Sequence, residues 1–473
     1  MKNIFKLLTV ATALVLMFSS CEDYLEREPV LKNSEDLSLN DLNGINQAVK
    51  GAYARLYSGN YYGSDFYIMS DIRAGNAKSS PKNSGRFQED YNWLQNASST
   101  SNIFTSAYYI ITSANKVLER IETYELQANE SQEALDHMRA ECLFLRALAH
   151  HDLVRTYGQP YHTDPDGLGI PIMLKSEVAK PERNTVSEVY AQIVSDLETA
   201  IPLFMDGFGS EYRSEAVDPK AYATKPAAQG LLARVALYMR DYDKAANYAG
   251  KVIDESDAQL YDASNYTNVW GTNGASEILL EVYGNNQQSY APYWEEIGYM
   301  YDGNGSYADV CASNGLLNMF EASDVRQDLF YSPEGFSGYF WPDKYPGKGG
   351  DSRQNNIPVL RLSEMYLIRA EAVLQGASGD ALADLNAIRT HRGLTAVSSI
   401  SMDDIFKERR LELCFEGHIF YDYKRLGRSL DRTDEDNRIV GEEDVPFPSN
   451  LWTYPIPQSE MDANENMVQN PGY

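Results

Sequence analysis

The pattern that most constrains the fold is a series of small and apolar residues at helical spacing between Pro226 and Glu255. These residues lie on both sides of a polar turn at 239–243, and they are Leu232, Ala233, Ala236, Ala245, Ala249 and Val252. Small side chains let two antiparallel helices approach closely, as they do in a tetratricopeptide repeat. The segment therefore predicts a helix pair of that kind.

A second segment, 358–392, repeats this pattern around a turn at 376–379 and predicts another helix pair. Thr185 and Glu188 have the spacing of a capping box, which predicts that a helix begins there. Helical periodicity predicts further helices over about 102–126, 131–156 and 402–426, and one that ends near 57. The predicted fold class is mainly α, with a tetratricopeptide-like helical-repeat scaffold.

Two long segments, about 59–101 and 257–356, lack helical periodicity and are rich in Gly, Asn, Tyr and Trp. Long irregular stretches in a compact chain are usually functional or disordered, and aromatic residues argue against disorder. The chain has 34 Tyr but only 16 Phe, and the polar tip of tyrosine suits recognition surfaces as well as cores. We predict that residues 39–473 form a single body. The first excursion (59–101) and the second excursion (257–356) would build its irregular, aromatic-rich ligand-binding lobe.

Residues 1–20 have the features of a secretory signal peptide, because basic residues precede an apolar stretch that is too short to span a bilayer. Two small residues precede Cys21, as in a bacterial lipoprotein processing site, although an ordinary signal peptide that ends near a cysteine would look the same. We predict that Cys21 carries the lipid and that residues 21–38 form a linker. The acidic residues of this linker resemble a signal for the outer face of the outer membrane. They are Glu22, Asp23, Glu26 and Glu28.

The formal net charge of −27 argues against nucleic acid as a partner, because phosphate binding needs clustered Lys and Arg. Four cysteines in 473 residues rule out a disulfide scaffold. Cys142 and Cys414 lie within helical apolar patterns, and we predict that both are buried, inert thiols.

Motifs for catalysis and metal binding are absent. The sequence has no His-Glu-x-x-His, no Gly-x-Ser-x-Gly and no phosphate-loop pattern. His150 and His151 diverge on a helix and do not readily share a metal, and the acidic stretch 431–436 does not fit a calcium loop. We therefore predict a protein that is not an enzyme and has no metal or cofactor. A glycosidase remains the alternative, since its carboxylate pair is defined by spatial separation.

The excursions contain the residue types that a glycan site needs. Sugars present C–H faces that pack on aromatic rings, and hydroxyls that bond to amide, carboxylate or guanidinium groups. Such mixtures occur at 71–73, which includes Asp71 and Arg73, at 92–96 and at 293–295. The alternative for each aromatic residue is a place in the core, where Trp and Tyr are usually at least partly buried.

Four separated motifs resemble those of the SusD/RagB family. Residues 21–25 are similar to the start of its mature chains, 361–372 to its signature repeat helix, 413–425 to its C-terminal helix and 454–473 to its usual ending. The motifs occur in the right order and span essentially the whole chain. Ile419 departs from the pattern, because the family commonly has Arg there. That difference bears on helix packing more than on ligand binding.

This resemblance implies a lipid-anchored outer-membrane protein, exposed at the cell surface, that captures glycans or, in some members, peptides. It would act as the lid of a partner TonB-dependent transporter of the SusC type, with the helical repeats facing that transporter. The starch-binding prototype of the family has a Trp and, three residues later, an Asn in its site. Trp93 and Asn96 match this pair, and the resemblance implies that Asp71 is a hydrogen-bonding acid of the same site. The resemblance draws further aromatic ligand residues from the second excursion, where we predict Tyr293, Trp294, Tyr301 and Trp341.

Overall fold

A computed structural model describes residues 39–100, 102–213, 218, 220–432 and 444–473 of the chain. The predicted signal peptide, Cys21, the linker and most of the acidic stretch 431–436 lie outside these described residues. Helices dominate and strands are short, which confirms the prediction of a mainly α fold. Within the described residues, no helix is both long and apolar enough to cross a membrane.

The helices are α1 (Leu42–Ala54), α2 (Asp65–Arg73), α3 (Gln88–Tyr91), α4 (Ile103–Glu122), α5 (Gln132–Tyr157), α6 (Val186–Ala200), α7 (Phe208–Tyr212), α8 (Lys225–Met239), α9 (Tyr242–Glu255), α10 (Ile297–Tyr301), α11 (Asn314–Leu317), α12 (Leu362–Leu374), α13 (Ala381–His391), α14 (Met402–Glu412), α15 (Ile419–Leu426) and α16 (Gln458–Ala463). The strands are β1 (Ala77–Ser79), β2 (Ile278–Val282), β3 (Val310–Ala312), β4 (Phe330–Tyr331), β5 (Trp341–Pro342), β6 (Ile357–Arg361), β7 (Leu430–Asp431) and β8 (Asp444–Val445).

The scaffold is a succession of helices in which each packs on the next, in the order α4, α5, α6, α8, α9, α12 and α13. The small residues of the repeat pattern lie at these contacts, where Ala233, Ala236 and Ala249 are completely buried. At Gly230 a Cβ atom would lie 3.3 Å from the Met365 sulfur, so a larger residue there would require the Met365 side chain to shift. This packing confirms the tetratricopeptide-like fold.

Local signals set several of the helix boundaries. The Thr185 side chain accepts a hydrogen bond from the backbone N–H of Glu188, whose carboxylate accepts one from the N–H of Thr185, so the predicted capping box is present. Asp41 caps α1 through the N–H of Gly44. Caps of this kind satisfy N–H groups that have no partner within the helix.

Two predicted helix boundaries were wrong. Residues 358–361 of the second repeat unit are part of strand β6, which pairs antiparallel with β2, and the helix starts only at Leu362. The predicted helix over 402–426 is two helices, α14 and α15, separated by a turn in which Phe415 and Gly417 have φ values of 62° and 75°. A left-handed residue such as Phe415 ends a helix, whatever the apolar periodicity of its neighbours.

Antiparallel pairing joins the two excursions. Strand β1 of the first excursion pairs with β3 of the second, with Ala77 opposite Ala312 and Ser79 opposite Val310. The first excursion also contains the buried helix α2. The sequence did not predict this helix, because the segment has no helical periodicity. The excursions therefore form one lobe through direct backbone pairing.

Buried ion pairs connect this lobe with the repeat scaffold. The Arg361 guanidinium lies 3.0 Å from Glu412 and 2.7 Å from Glu416, and Arg392 lies 2.8 Å from Glu412 and 3.1 Å from Glu277. All five side chains are essentially inaccessible to solvent. Breaking a buried ion pair by removal of one partner is strongly destabilising, so these pairs link the lobe to the scaffold.

Candidate functional site

The structure places Trp93 in the core and not on a binding surface. Its side chain is 3% exposed, and its ring packs edge-on against Trp452 at 5.0 Å between centroids. Its indole N–H donates to the carbonyl of Arg73, and the Arg73 guanidinium carbon lies 3.8 Å from the centroid of the ring. In this conformation Trp93 offers no face to a ligand, so the prediction that it contacts ligand disagrees with its placement.

Asp71 and Arg73 are also completely buried. The Asp71 carboxylate accepts hydrogen bonds from the backbone N–H groups of Phe415 (2.8 Å) and Gly417 (3.2 Å) and from the amide of Asn76 (2.9 Å). It thereby fixes the left-handed turn between α14 and α15. Desolvation raises the pKa of Asp71 to about 6, in spite of these hydrogen bonds. Its placement indicates a structural role.

Two predicted aromatics of the second excursion are core residues as well. Trp341 is inaccessible, and its indole N–H donates to the carbonyl of Ala308. Tyr301 is buried beside Tyr345, at 6.0 Å between nearly parallel rings, and against the edge of Phe415. Sequence cannot distinguish such residues from platforms, because Trp and Tyr serve both purposes with the same side chain.

Tyr293 and Trp294 are exposed, with 52% of each side chain accessible. They lie on a single helical turn, Tyr293–Glu295, and Tyr293 has a φ of 53°. A left-handed conformation is strained for a bulky residue, and strain of this kind is concentrated at ligand-binding segments. Asn96 is exposed too, but its side-chain oxygen accepts a hydrogen bond from the N–H of Ser98 in a local turn.

An aromatic row runs across the lobe from Trp294. The ring centroids of Trp294 and Tyr299 are 5.5 Å apart, and those of Tyr299 and Tyr307 are 5.2 Å apart. A guanidinium covers each end of the row, since Arg353 is 4.4 Å from the centre of Trp294 and Arg86 is 4.0 Å from the centre of Tyr307. Trp294 is exposed, Tyr307 is half-buried and Tyr299 is buried, and the guanidinium groups hold the two end rings in place.

Beside this row lies the acidic cleft, a cavity of about 580 Å³ between the two excursions. One wall comes from the first excursion and the other from residues 290–300. The side chains that could bond to a ligand are Asn60, Ser64, Asp65, Arg86, Gln88, Glu89, Asp90, Ser99, Tyr290 and Glu295. Phe87, with a φ of 58°, is a second left-handed aromatic residue at this site.

Carboxylates dominate the electrostatics of the acidic cleft. Desolvation and repulsion from Asp90 and Glu295 raise the pKa of Asp65 to about 7, and desolvation also raises the pKa of Asp90. Arg86 bridges the walls, with its guanidinium 3.7 Å from Glu295 and 3.4 Å from Asp309. Near neutral pH, Asp65 can therefore donate or accept a hydrogen bond.

The buried residues Trp93 and Arg73 support one wall of this cleft from the core. The Arg73 guanidinium lies 3.9 Å from the Asp90 carboxylate, which also accepts hydrogen bonds from the Gln95 amide and the Tyr454 hydroxyl. These contacts fix the orientation of Asp90 in the cleft wall. Trp93 and Arg73, which the sequence predicted as ligand contacts, thus support Asp90, which lines the cleft.

Sequence reasoning missed most of the cleft-lining residues. Asp65, Arg86 and Asp90 belong to no motif, and only their place in an irregular, aromatic-rich segment set them apart. Among the described residues, no cluster of His, Cys, Asp or Glu could hold a metal ion. The arrangement of exposed rings beside amide, carboxylate and guanidinium groups is chemically suited to a ligand with both C–H faces and hydroxyls.

Comparison with known proteins gives matches over nearly the full length of the chain. A family model described as "Starch-binding associating with outer membrane" matches residues 23–237, and one described as "SusD family" matches residues 242–473. A SusD-like protein of Bacteroides ovatus is 26% identical over 480 residues, which cover 88% of this chain and 81% of the relative.

Solved structures share the fold. A SusD superfamily protein from Bacteroides thetaiotaomicron superposes with a TM-score of 0.82 at 30% identity, over 91% of this chain and all of the other. Surface glycan-binding protein A of the same species, in complex with laminarihexaose, has a TM-score of 0.71 at 19% identity, over 90% of this chain and 98% of the other. On these matches of sequence and structure, the chain belongs to the SusD/RagB family.

Proposed function

We propose that this protein binds glycans at the acidic cleft and the adjoining aromatic row, and that it does so without catalysis. The observation that carries the proposal is the pairing of Trp294, half of which is exposed, with a cleft that holds carboxylate, amide and guanidinium groups. Sugar rings would stack on the exposed aromatic face while their hydroxyls bond to the cleft. The family-model description and the glycan complex of a protein with the same fold support this assignment.

Isothermal titration against a panel of oligosaccharides tests the proposal. Wild-type protein should bind at least one glycan at millimolar or lower concentration, and Trp294→Ala should weaken binding by about 1–2 kcal/mol. Leu174→Ala is the control, because Leu174 is an exposed apolar side chain that does not line the cleft. Failure of every glycan to bind, or capture of a peptide instead, would refute the glycan assignment.

A surface glycosidase is the second candidate, and Asp65 is the specific observation that favours it. A carboxyl with a pKa of about 7, beside the carboxylates of Asp90 and Glu295, has the protonation behaviour of a general acid. Chromatography of a bound oligosaccharide after prolonged incubation separates the two functions. Unchanged chain length supports binding alone, whereas shortened products that disappear in Asp65→Asn would establish hydrolysis.

We further propose that the protein is anchored to the outer membrane through a lipid on Cys21 and delivers its glycan to a partner SusC-like transporter as a lid. A family model that associates starch binding with the outer membrane supports the location. Cys21→Ala should move the protein from the membrane fraction to the soluble fraction. Affinity purification of the anchored protein should recover a TonB-dependent transporter, and its absence would contradict the lid role.

A further inference from the structure

A second groove of about 630 Å³ adjoins the acidic cleft. Its floor consists of small residues of α1, including Ala48 and Gly51, and a Cβ atom at Gly51 would meet nothing within 4 Å. One wall is α4 and the other is the segment 287–290. Tyr290 lines both this groove and the acidic cleft, so a ligand chain could pass from one to the other across a single ring.

Arg55 is the distinctive side chain of this groove. Its guanidinium carbon lies 4.6 Å from the centre of the Tyr290 ring and 5.4 Å from the centre of Tyr109, and both rings are exposed, by 38% and 56% respectively. Among the described residues, its guanidinium has no ion pair and no hydrogen bond. The two tyrosine rings hold the Arg55 guanidinium in place, and its N–H groups are available to donate hydrogen bonds to a ligand in the groove.

We infer that this groove binds a carboxylate-bearing sugar, a uronate unit of the glycan whose neutral units occupy the acidic cleft. The forked N–H donors of arginine match the two oxygens of a carboxylate, and the neighbouring tyrosines present faces for sugar rings. This inference rests on the proposed glycan-binding function and specifies its ligand class.

Charge limits how many uronates the ligand can carry. The acidic cleft contains Asp65, Glu89, Asp90 and Glu295 against the single cation Arg86. A polymer with a charge on every unit would therefore be repelled from the cleft, in a protein whose formal net charge is already −27. The ligand class is a mainly neutral glycan with occasional uronate substituents.

The test uses matched pairs of oligosaccharides on xylan, galactan and glucan backbones, each pair consisting of a uronate-bearing form and its carboxyl-reduced form. Affinities are measured by titration for wild type, Arg55→Gln, Arg55→Lys and Trp294→Ala. Wild type should bind a uronate-bearing form about tenfold more tightly than its reduced partner, the size expected for a hydrogen bond to a charged group. Thermal unfolding of each variant verifies that it is folded.

Arg55→Gln should lose this tenfold preference and keep its affinity for the reduced form, whereas Arg55→Lys should keep only part of the preference because the fork is lost. Trp294→Ala should weaken binding of both forms. Equal wild-type affinity for the two forms, or an unchanged preference in Arg55→Gln, would overturn the uronate site while glycan binding stands. Binding of no glycan at all, or of an acidic peptide only, would overturn both this inference and the proposed function.

Discussion

The Arg73 guanidinium carbon lies 3.8 Å from the centre of the Trp93 ring, and the Trp93 indole N–H donates back to the Arg73 carbonyl. The same guanidinium donates to the carbonyl of Leu451 and lies 3.9 Å from the Asp90 carboxylate. The two residues therefore form one buried unit that supports the wall of the acidic cleft. Their effect on ligand binding is exerted through the position of Asp90.

The buried and the exposed tryptophan should respond in opposite ways to truncation. Trp93→Ala should lower the free energy of unfolding by about 3–5 kcal/mol, because it leaves a cavity among packed rings. Trp294→Ala should change that free energy by less than about 0.5 kcal/mol and weaken glycan binding instead. Urea unfolding and titration calorimetry on both variants check this. Full stability of Trp93→Ala would contradict its placement in the core.

Removal of the Asp71 carboxylate should destabilise the turn between α14 and α15. Asp71→Ala leaves the N–H groups of Phe415 and Gly417 buried without an acceptor, at a cost of about 1–3 kcal/mol for each unsatisfied group. Chemical denaturation gives the overall loss, and hydrogen exchange at residues 413–418 should show faster opening there. Exchange that is accelerated equally throughout the protein would argue against a local clamp.

Replacement of Asp65 should make stability depend less on pH. The pKa of Asp65 is raised from 3.8 to about 7 on folding, so between these values the folded protein holds a proton that the unfolded chain has released. The wild type therefore loses stability as pH rises through this range, by at most about 1.4 kcal/mol per pH unit. The side chain of Asp65→Asn does not titrate. The free energy of unfolding of this variant should therefore rise relative to that of the wild type between pH 5 and 7, and the difference should stay constant above pH 7.

Thermal unfolding midpoints of the two proteins at pH 5, 6, 7 and 8 give this comparison. A difference between Asp65→Asn and wild type that is the same at every pH would show that the Asp65 carboxyl is not perturbed by folding. The comparison within each pH cancels the titration of groups that do not interact with Asp65.

Removal of the Glu412 charge from the buried ion pairs around Arg361 and Arg392 should lower the free energy of unfolding. Glu412 accepts hydrogen bonds from Arg361, Arg392 and Arg326, and its pKa is held well below its usual value by these guanidinium groups, although burial alone would raise it. Glu412→Gln removes the one carboxylate that all three buried guanidinium groups share and should cost about 3–5 kcal/mol. Exposed Glu198→Gln, which removes an ion pair with Lys244, should cost less than about 1 kcal/mol. Similar losses in both variants would contradict the importance of the network.

Sequence predicted the scaffold well because its signals are local. Helical periodicity, the small residues at 233–249 and the capping box at Thr185 act within a few residues of chain, and the structure has each of them. The burial of cysteines was predictable for the same reason: Cys142 and Cys414 are buried, and burial raises the pKa of the Cys414 thiol to about 11. The errors at 358–361 and 413–418 arose where β2 and Asp71, distant in sequence, override local preference.

The candidate site was predicted less well, because exposure is a property of the whole fold. Trp93 and Trp294 both lie in irregular, aromatic-rich segments, yet Trp452 and Phe420 pack against the first, whereas the second is exposed. No local pattern reveals a partner more than 300 residues away. The proximity of Arg86 to Glu295, and of Arg55 to Tyr290, likewise depends on how the two excursions meet.

The hydrogen bond from Tyr454 to Asp90 has a consequence for biosynthesis. Its two ends are 364 residues apart, and Asp90 lines the acidic cleft near the start of the body whereas Tyr454 belongs to its last twenty residues. Contacts this remote cannot form until the ribosome has finished almost the entire chain. A product that terminates before Tyr454 would lack this contact, and with it part of the support that holds Asp90 in the cleft wall.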